Sequence, residues 1–482
     1  EQSCAEDMPS MLRVNLPHDA DIEQMGERVF DVLENVGAMF QNEEMLRALK
    51  VVGAKVDYSS EIARFPRKLQ AEFVESARRE RSKAKARGRD ARFEGAPLAH
   101  LETQVAQYVY DFDREERRPG SRADLIEMTK LGDALHGEAG VGHSVLVRDV
   151  PPILEPLEAA LVLAEYARKP GAVFAWDVRQ ADYLVEMGEI IGADDWMTFG
   201  AVCIAHPLRF DRAVADRYVQ MLKWGHTAGL TAMPVAGLST PITVEGFIVV
   251  ASAELLASWI AGRAVNPDVS LGGSMWVGTP DMRTGHVSFT NFDAMFYAIA
   301  VVQFLEKWCG VTVVVGGGEY SDAKRPGLYA ALEKAHKAMT VAAFTGHHPA
   351  IGQGMLDVGK VLSDVQLVLE RDLGLGLNQF ARPIQPSEEN IALSTIEEVG
   401  IGLGANYLQS EHTALNFRRS LWLPELLDRT GWDGFEKEAH VLARAQQKSR
   451  SLIEGYVKPE GREEKLAAMR AVVERAKNEL AE

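Results

Sequence analysis

The chain has 482 residues, 46% of them hydrophobic and 25% charged, which is ordinary for a globular protein with room for more than one domain. Its formal net charge of −17 argues against nucleic acid or an anionic membrane as partner. Three cysteines make no disulfide framework and suit a reducing cytoplasm, no uninterrupted apolar run reaches the ~20 residues of a membrane span, and the first residues lack the apolar core of a signal peptide.

Residues 1 to about 20 read as a loose leader. Asp21 to Val36 is an amphipathic helix, with Ile22, Met25, Val29, Val32 and Leu33 at three- and four-residue steps. Gly37 ends it. Asn42 to Val52 predicts a second helix, Ala54 to Ile62 a short hairpin-like segment, and Pro66 to Arg78 another helix. Arg78 to Arg92 is dense in Arg and Lys, which fits a solvated surface or a docking surface for an acidic partner. Arg122 to Leu135 reads as a helix leading into a regular strand–helix alternation.

The expected strands are 141–147, 173–178, 197–204, 231–236, 269–275, 311–315, 348–353 and, weakly, 404–408. The helices between them are 151–167, 181–191, 212–224, 243–264, 291–308, one from 326 onward in which Leu328, Leu332 and Ala335 share a face, 361–373 and 386–400. Such alternation implies parallel strands with crossover helices, and eight units predict an α/β fold, a (β/α)₈ TIM barrel. The expected division is an N-terminal, mostly helical extension (1–135), the barrel (136–430) and a C-terminal helical cap (431–482), the last marked by Leu442, Leu452, Leu466 and Val472.

The most informative stretch is Val311-Thr-Val-Val-Val-Gly-Gly-Gly-Glu-Tyr-Ser-Asp-Ala-Lys324. The unbroken β-branched run predicts a strand buried on both faces, and Gly316 to Gly318 let the backbone turn. Glu319 to Lys324 then lie on a loop leaving the C-terminal end of a parallel strand, where barrel chemistry is done. A phosphate loop fails here, because Lys324 is followed by Arg325 and Pro326 rather than by Ser or Thr opening a helix, and a dinucleotide fingerprint fails for want of the acidic residue after a second strand. Cys203 and His206 have no second pair at ligand spacing, so no metal site is expected.

Gly318-Glu-Tyr-Ser-Asp-Ala-Lys324, followed by Glu333-Lys334, resembles the heart of the trimethylamine:corrinoid methyltransferase (MttB-like) family. The resemblance continues through Ser239-Thr-Pro-Ile-Thr-Val-Glu-Gly-Phe247, Ala253-Glu-Leu-Leu256, Asp281-Met-Arg-Thr-Gly285, Gly354-Met-Leu356, Gln366-Leu-Val368 and Glu398-Val-Gly-Ile-Gly402, covering about residues 20 to 480. In the founding members pyrrolysine immediately precedes the Ser-Asp-Ala-Lys run, where this chain has Tyr320. The resemblance therefore points to the non-pyrrolysine branch, whose known activities demethylate quaternary amines such as glycine betaine. It implies the barrel fold, a Co(I) corrinoid (cobalamin) carried by a cognate partner protein rather than tightly bound here, and a small quaternary-amine substrate. A homo-oligomer is also expected.

A quaternary ammonium has neither N–H nor lone pair, so aromatic faces must hold it by cation–π attraction. Phe174, Trp176, Trp276 and Tyr320, at or near expected strand ends, could build that cage, although an aromatic at a strand end is as readily rim packing. A betaine carboxylate needs a donor, for which His348, Arg179 and Arg283 are the candidates, with Gln353 at the end of the seventh expected strand. Glu319 and Tyr320 are the expected catalytic-loop residues. Two other readings share these residues: a barrel lyase or isomerase using Glu319 or His348 as base, and a binding protein without catalysis.

Overall fold

The computed structural model describes residues 17–86, 101, 105–199, 202–345, 351–377, 379, 384–401, 403–427, 429 and 437–480. The early segments fold as expected. The helix Asp19–Asn35 buries Ile22, Val29, Phe30 and Leu33, and strands Lys55–Asp57 and Ile62–Arg64 form an antiparallel hairpin. The leader before Pro17 and the basic stretch beyond Ala86 lie outside the described residues.

Helix ends follow local capping chemistry. Ser121 and Asp124 cap Arg122–His136 reciprocally, and the Asn291 carboxamide accepts from the Ala294 amide at 2.8 Å to open Phe292–Cys309. The helices Glu155–Tyr166, Ala181–Ile191, Arg212–Lys223, Val244–Val265 and Phe292–Cys309 match the expected ones within a few residues at each end. Val244–Val265 is long and apolar enough to cross a membrane, yet 72% of its apolar window is buried among its neighbours, as in a core helix.

The result is a mixed α/β, helix-rich molecule of short strands, in which parallel pairs stand beside antiparallel hairpins. Val173–Phe174 pairs with Met197–Thr198, Thr231–Ala232 with Ser274–Met275, and Ser274–Met275 with Val314–Val315. Single parallel bridges, Ala106 with Val145, Val141 with Pro170 and Cys203 with Thr231, carry the pairing on through the 141–147 and 197–204 stretches. At the far end Val361–Leu362 runs parallel to Tyr108–Asp111. These ladders describe an arc. Among the described residues no ladder joins Val314–Val315 back to Val361–Leu362. Loops meet there instead, with the Asp357 and Val358 amides donating to the Ala323 and Ser321 carbonyls at 2.9 and 2.8 Å.

Several expectations need correction. Residues 404–408 form no strand: a 3₁₀ turn, Tyr407–Gln409, follows Asn406, and the stretch has no β-branched residue to favour extension. Val361–Leu362 is a strand, and the helix starts only at Asp364. Met355–Leu356 is the strand nearest the seventh expected one, whose start at His348 lies outside the described residues. Tyr108–Asp111, assigned to a helical extension, instead pairs into the sheet and forms a hairpin with Glu116–Pro119. The 276–290 loop contains a small hairpin, Thr279–Pro280 with Val287–Ser288. Val311–Val315 is not buried on both faces: Val311, Val313 and Val315 pack inward against helices, while Val314 is 44% exposed.

The helix Leu328–Thr345 is also turned from its expected orientation. Leu328 and Leu332 are exposed, and the buried face carries Ala330, Ala331, Lys334, Lys337, Ala338 and Val341. The C-terminal helices Glu438–Glu454 and Glu463–Glu479 lie on the outer helices. The first packs against Arg122–His136 and Asp364–Leu377, the second against Glu155–Tyr166 and Ala181–Ile191.

Candidate functional site

The turn after Val314–Val315 is built by close packing rather than for phosphate. A Cβ on Gly316 would run into the Trp276 indole nitrogen, so glycine here lets that ring lie directly on the backbone. Gly317 takes a φ of +74°, and the Tyr320 amide donates to its carbonyl at 3.1 Å to close the turn. Tyr320 is thereby swung against Trp276, ring centroids 4.7 Å apart at 80°, and against Phe289 at 6.2 Å and 88°. On another side its ring lies where a Cβ of Gly359 would be. Burial, then the charges of Glu319 and Cys203, push the Tyr320 phenol far above its ordinary range.

Two buried lysines hold this turn from beneath. Lys337 Nζ donates to the Gly317 carbonyl at 2.7 Å and to the Phe289 carbonyl at 2.8 Å, tying both loops of the aromatic cluster together. Burial drives its pKa down from 10.5 to about 8, partly opposed by Glu319, Asp322 and Glu333. Lys334 is paired with buried Glu370, which also accepts from the Gly354 amide at 3.0 Å and the Gln366 carboxamide at 2.8 Å. Glu333 accepts from Ser321 Oγ at 2.7 Å and the Asp322 amide at 2.9 Å. The Ser-Asp and Glu-Lys pairs of the sequence are therefore one scaffold. Glu319 beside Tyr320 is buried, and desolvation raises its carboxyl above the usual range despite Lys337 and Lys334. A cavity of about 780 Å³ opens beside this turn, lined in part by Ser288, Phe289, Asp322 and Val358.

A second aromatic group sits at the Val173–Phe174 strand. Phe174 and Trp176 stack, centroids 5.6 Å apart at 7°, and the His143 ring lies 6.1 Å from each. One carboxylate organises the group. Glu155 Oε2 accepts the Trp176 indole N–H at 2.8 Å, while Oε1 accepts the Val147 amide and meets His143 Nε2, both at 2.9 Å. Burial pulls the Glu155 carboxyl up, but His143 and these donors outweigh it and hold it below its ordinary value. His143 Nε2 faces two acceptors, Glu155 and the Val145 carbonyl at 3.1 Å, and so carries a proton. His143 Nδ1, Trp276 Nε1 and Gln353 Oε1 are buried with no hydrogen-bond partner.

The structure thus brings Trp276, Tyr320 and Glu319 into one cluster and Phe174 with Trp176 into another. No ring pairing joins the two clusters among the described residues. Cys203 sits at the single parallel bridge to Thr231 with its thiol pushed up by burial, and Arg217 is felt by both Cys203 and Asp177. Gln353 is half-buried just before Met355–Leu356, and His348 lies outside the described residues. Arg179 and Arg283 are exposed and held by neighbours two residues back, Asp177 at 2.9 Å and Asp281 at 3.3 Å. His206 is fully used structurally: Nδ1 pairs with buried Glu254 at 2.8 Å and Nε2 accepts the Met233 amide at 2.8 Å. Among the described residues no group of three or more His, Cys, Asp or Glu side chains is placed to hold a metal ion.

The family described as trimethylamine methyltransferase (MTTB) matches residues 5–481. This chain belongs to the trimethylamine methyltransferase family. It is 23% identical over 461 residues to the glycine betaine methyltransferase of Desulfitobacterium hafniense (strain Y51), covering 93% of this chain and 94% of the relative. It is 21% identical over 476 residues to the trimethylamine methyltransferase MttB of D. hafniense (strain DSM 10664 / DCB-2), covering 96% and 94%. MttB of Methanosarcina barkeri (strain Fusaro) is 27% identical over 232 residues, 47% of this chain and 45% of that one. As a methyltransferase of this family, the chain has a glycine turn, an aromatic cluster and a lysine scaffold at the stretch that carries the resemblance.

His143, Glu155, Phe289 and Lys337 were not among the sequence candidates. Two of them leave a trace in the sequence. Lys334 and Lys337 share a helical face with Ala330, Ala331, Ala338 and Val341, and lysines on an apolar face are rarely solvated. His143 interrupts the apolar 141–147 strand. Glu155, near Pro151 and Pro152 at a helix start, looks like an ordinary first-turn acid.

Proposed function

We propose that this chain moves a methyl group from a quaternary amine, glycine betaine foremost, to a Co(I) corrinoid carried by a separate protein, releasing a tertiary amine. The observation that carries this reading is Tyr320. It stands where the family's founding members place pyrrolysine, and it is half-buried against Trp276 and Phe289 at the C-terminal end of a parallel strand. A primary to tertiary amine needs activation before it can lose a methyl group, whereas a quaternary nitrogen is already a good leaving group. The C–N bond breaks with its electron pair on nitrogen, so the amine leaves neutral and no general acid is required. The corrinoid supplies the nucleophile as a co-substrate. The task left to this chain is to bind the cation on aromatic faces, orient the methyl carbon and exclude water.

In this reading the arc of parallel strands is the wall of a (β/α)₈ barrel. The proposed division is a 1–135 extension, a 136–430 barrel and 431–482 C-terminal helices, with Tyr108–Asp111 lent to the wall by the extension. Trp176, Phe174, Trp276 and Tyr320 remain the proposed cation wall, and Glu319 keeps the pocket dry and weakly charged. Arg179 or Arg283 would serve a betaine carboxylate only by exchanging Asp177 or Asp281 for it. A reducing cytoplasm is the proposed location.

The test is a panel of methylated amines incubated with the protein and Co(I) cobalamin, followed by the visible spectrum of the corrin. Glycine betaine should methylate it, converting Co(I) to the methyl-Co(III) spectrum as dimethylglycine leaves, and trimethylamine and dimethylamine should not. Trimethylamine turnover at a rate comparable with glycine betaine would overturn the quaternary-amine reading. Binding of betaine without any transfer would overturn the enzyme itself.

A further inference from the structure

Of the two aromatic groups, the Phe174–Trp176 pair is the one backed by an ionised carboxylate. Glu155 opens the helix Glu155–Tyr166, where the helix dipole favours negative charge, and it is buried. Three donors reach it: the Trp176 indole N–H at 2.8 Å, and the Val147 amide and His143 Nε2, both at 2.9 Å. Among the described residues His143 is the basic side chain within ion-pair distance, and no Lys or Arg is.

The protons on the buried His143 ring can be counted from its contacts. Nε2–H serves Glu155 and the Val145 carbonyl, while Nδ1 meets no partner. A second proton on Nδ1 would be a buried donor with nothing to accept it, so the imidazole is neutral. The Glu155–His143–Trp176 group therefore keeps a full negative charge in a dry place, hydrogen-bonded but without a balancing cation among the described residues. The Trp276–Tyr320 cluster is backed in the opposite sense, with Lys337 buried beneath its turn and the Glu319 carboxyl drawn by burial toward its neutral form. The unbalanced charge lies behind an open ring face. Glu155 Oε2 meets the edge of the Trp176 indole, and Trp176, stacked on Phe174, is 38% exposed. A cation on this face within about 6 Å of the ring centroid stays inside the ~8 Å screening length of physiological salt, with protein rather than water between the charges.

We propose that Glu155 is the counter-charge for the substrate's quaternary ammonium, acting from behind the pocket wall through the Trp176 face. This rests on the quaternary-amine reading and adds a positioning residue to it: the ammonium is drawn to the Phe174–Trp176 side of the site. Cation–π attraction has no need of a buried carboxylate, whereas an unbalanced buried carboxylate needs a cation. A resident Lys or Arg would cancel the charge; a neutral histidine holds the carboxylate in place and leaves its field intact.

Calorimetric titration of the full chain with tetramethylammonium tests this without corrinoid or methyl transfer. Glu155→Gln keeps the size of the side chain and an oxygen for the Trp176 N–H but removes the charge. Glu155→Asp keeps the charge and is one methylene shorter. By Coulomb's law at an effective dielectric of about 20 and a separation of about 7 Å, Glu155→Gln should weaken binding by about 10- to 50-fold, while Glu155→Asp stays within about threefold of the parent. A merely structural role reverses that order, because the isosteric amide fits better than the shortened acid. His143→Gln leaves the carboxylate in place, stands in if Glu155→Gln fails to fold, and should bind within about threefold of the parent. The proposal is overturned if Glu155→Gln binds within about twofold of the parent, if Glu155→Asp loses as much as Glu155→Gln, or if His143→Gln shifts affinity about tenfold in either direction. A parent that binds no quaternary ammonium overturns the quaternary-amine reading itself, which keeps the two failures apart.

Discussion

Trp176 is the side chain on which the two demands of the second aromatic group can be separated. Its indole N–H serves Glu155 at 2.8 Å, and its face, stacked on Phe174 and 38% exposed, is free to meet a cation. Replacing it with Phe removes the hydrogen bond and keeps a face; replacing it with Leu removes both. The lost bond leaves one oxygen of a buried carboxylate unpaired, so both variants should lose about 1.5–3 kcal/mol of stability, the range for a bond to a charged group. A cation–π contact is worth about 0.5–1 kcal/mol when exposed and about 2 kcal/mol when desolvated. A partly covered ring falls between, so Trp176→Leu should weaken quaternary-amine binding by about 5- to 30-fold, at ~1.4 kcal/mol per decade. Trp176→Phe should keep most of the affinity. The assay is calorimetric titration with glycine betaine and, to leave out the carboxylate, tetramethylammonium, alongside urea unfolding. If Trp176→Leu binds both within twofold of the parent while its fold survives, Trp176 is no wall of the pocket. If Trp176→Phe weakens binding as much as Trp176→Leu, the Glu155 bond rather than the ring face sets affinity.

Three more outcomes follow from the same geometry. Gly316→Ala should cost about 1–3 kcal/mol through overpacking and shift the Trp276 fluorescence, because the new methyl meets the indole nitrogen; an unchanged emission spectrum and unfolding midpoint would contradict the packing described. Lys337 has a folded pKa of about 8 against 10.5 for the free side chain. Below about 8 both states carry the proton and the burial cost is present in full; from there to 10.5 the unfolded chain binds more protons, and stability should rise by about 3 kcal/mol at ~1.36 kcal/mol per pH unit. Lys337→Met should remove that alkaline rise, and parallel stability curves for parent and variant would refute it. Glu155, held below its ordinary value, contributes stability above the usual carboxylate range that is lost as pH falls through its depressed pKa, so Glu155→Gln should flatten the acid limb of the unfolding curve.

What could be read from the sequence divides along physical lines. Helices with a one-sided apolar pattern, such as Asp19–Asn35 and Glu43–Val51, lie where periodicity put them. The strands are harder, because each is only two to four residues long and paired at positions far away in sequence. Tyr108–Asp111 is recognisable as part of the sheet only once Val361–Leu362 lies beside it. The face of Leu328–Thr345 was misleading for another reason. Its apolar stripe points outward and its lysines inward, the reverse of what binary patterning expects, because Glu370 and two carbonyls await the lysine ends. Tyr320 became a candidate through resemblance, and Trp276 through cation–π logic; the glycine that brings them together was legible as a turn but not as a contact surface.

The two arginine candidates show where residue chemistry alone runs out. Asp177-Val-Arg179 and Asp281-Met-Arg283 have the same spacing, and in both the aspartate first accepts the arginine's own amide, at 2.9 and 2.8 Å, and then its guanidinium. Such a turn closes over two residues and needs almost no chain ordering, so it competes well with any ligand carboxylate for the same fork. Burial settles the sign of that competition. Arg179 and Arg283 are solvated, where a charge pair gains little, and a substrate carboxylate would have to displace a local partner without the advantage of a dry site. Lys337 and Trp276 Nε1 present the opposite case: polar groups held in a low-dielectric region, where any anion admitted would be attracted strongly. A carboxylate that follows the cation into the aromatic cluster would therefore be bound most tightly at the Trp276 side, and the Gly316→Ala variant, which moves that ring, should penalise glycine betaine more than tetramethylammonium.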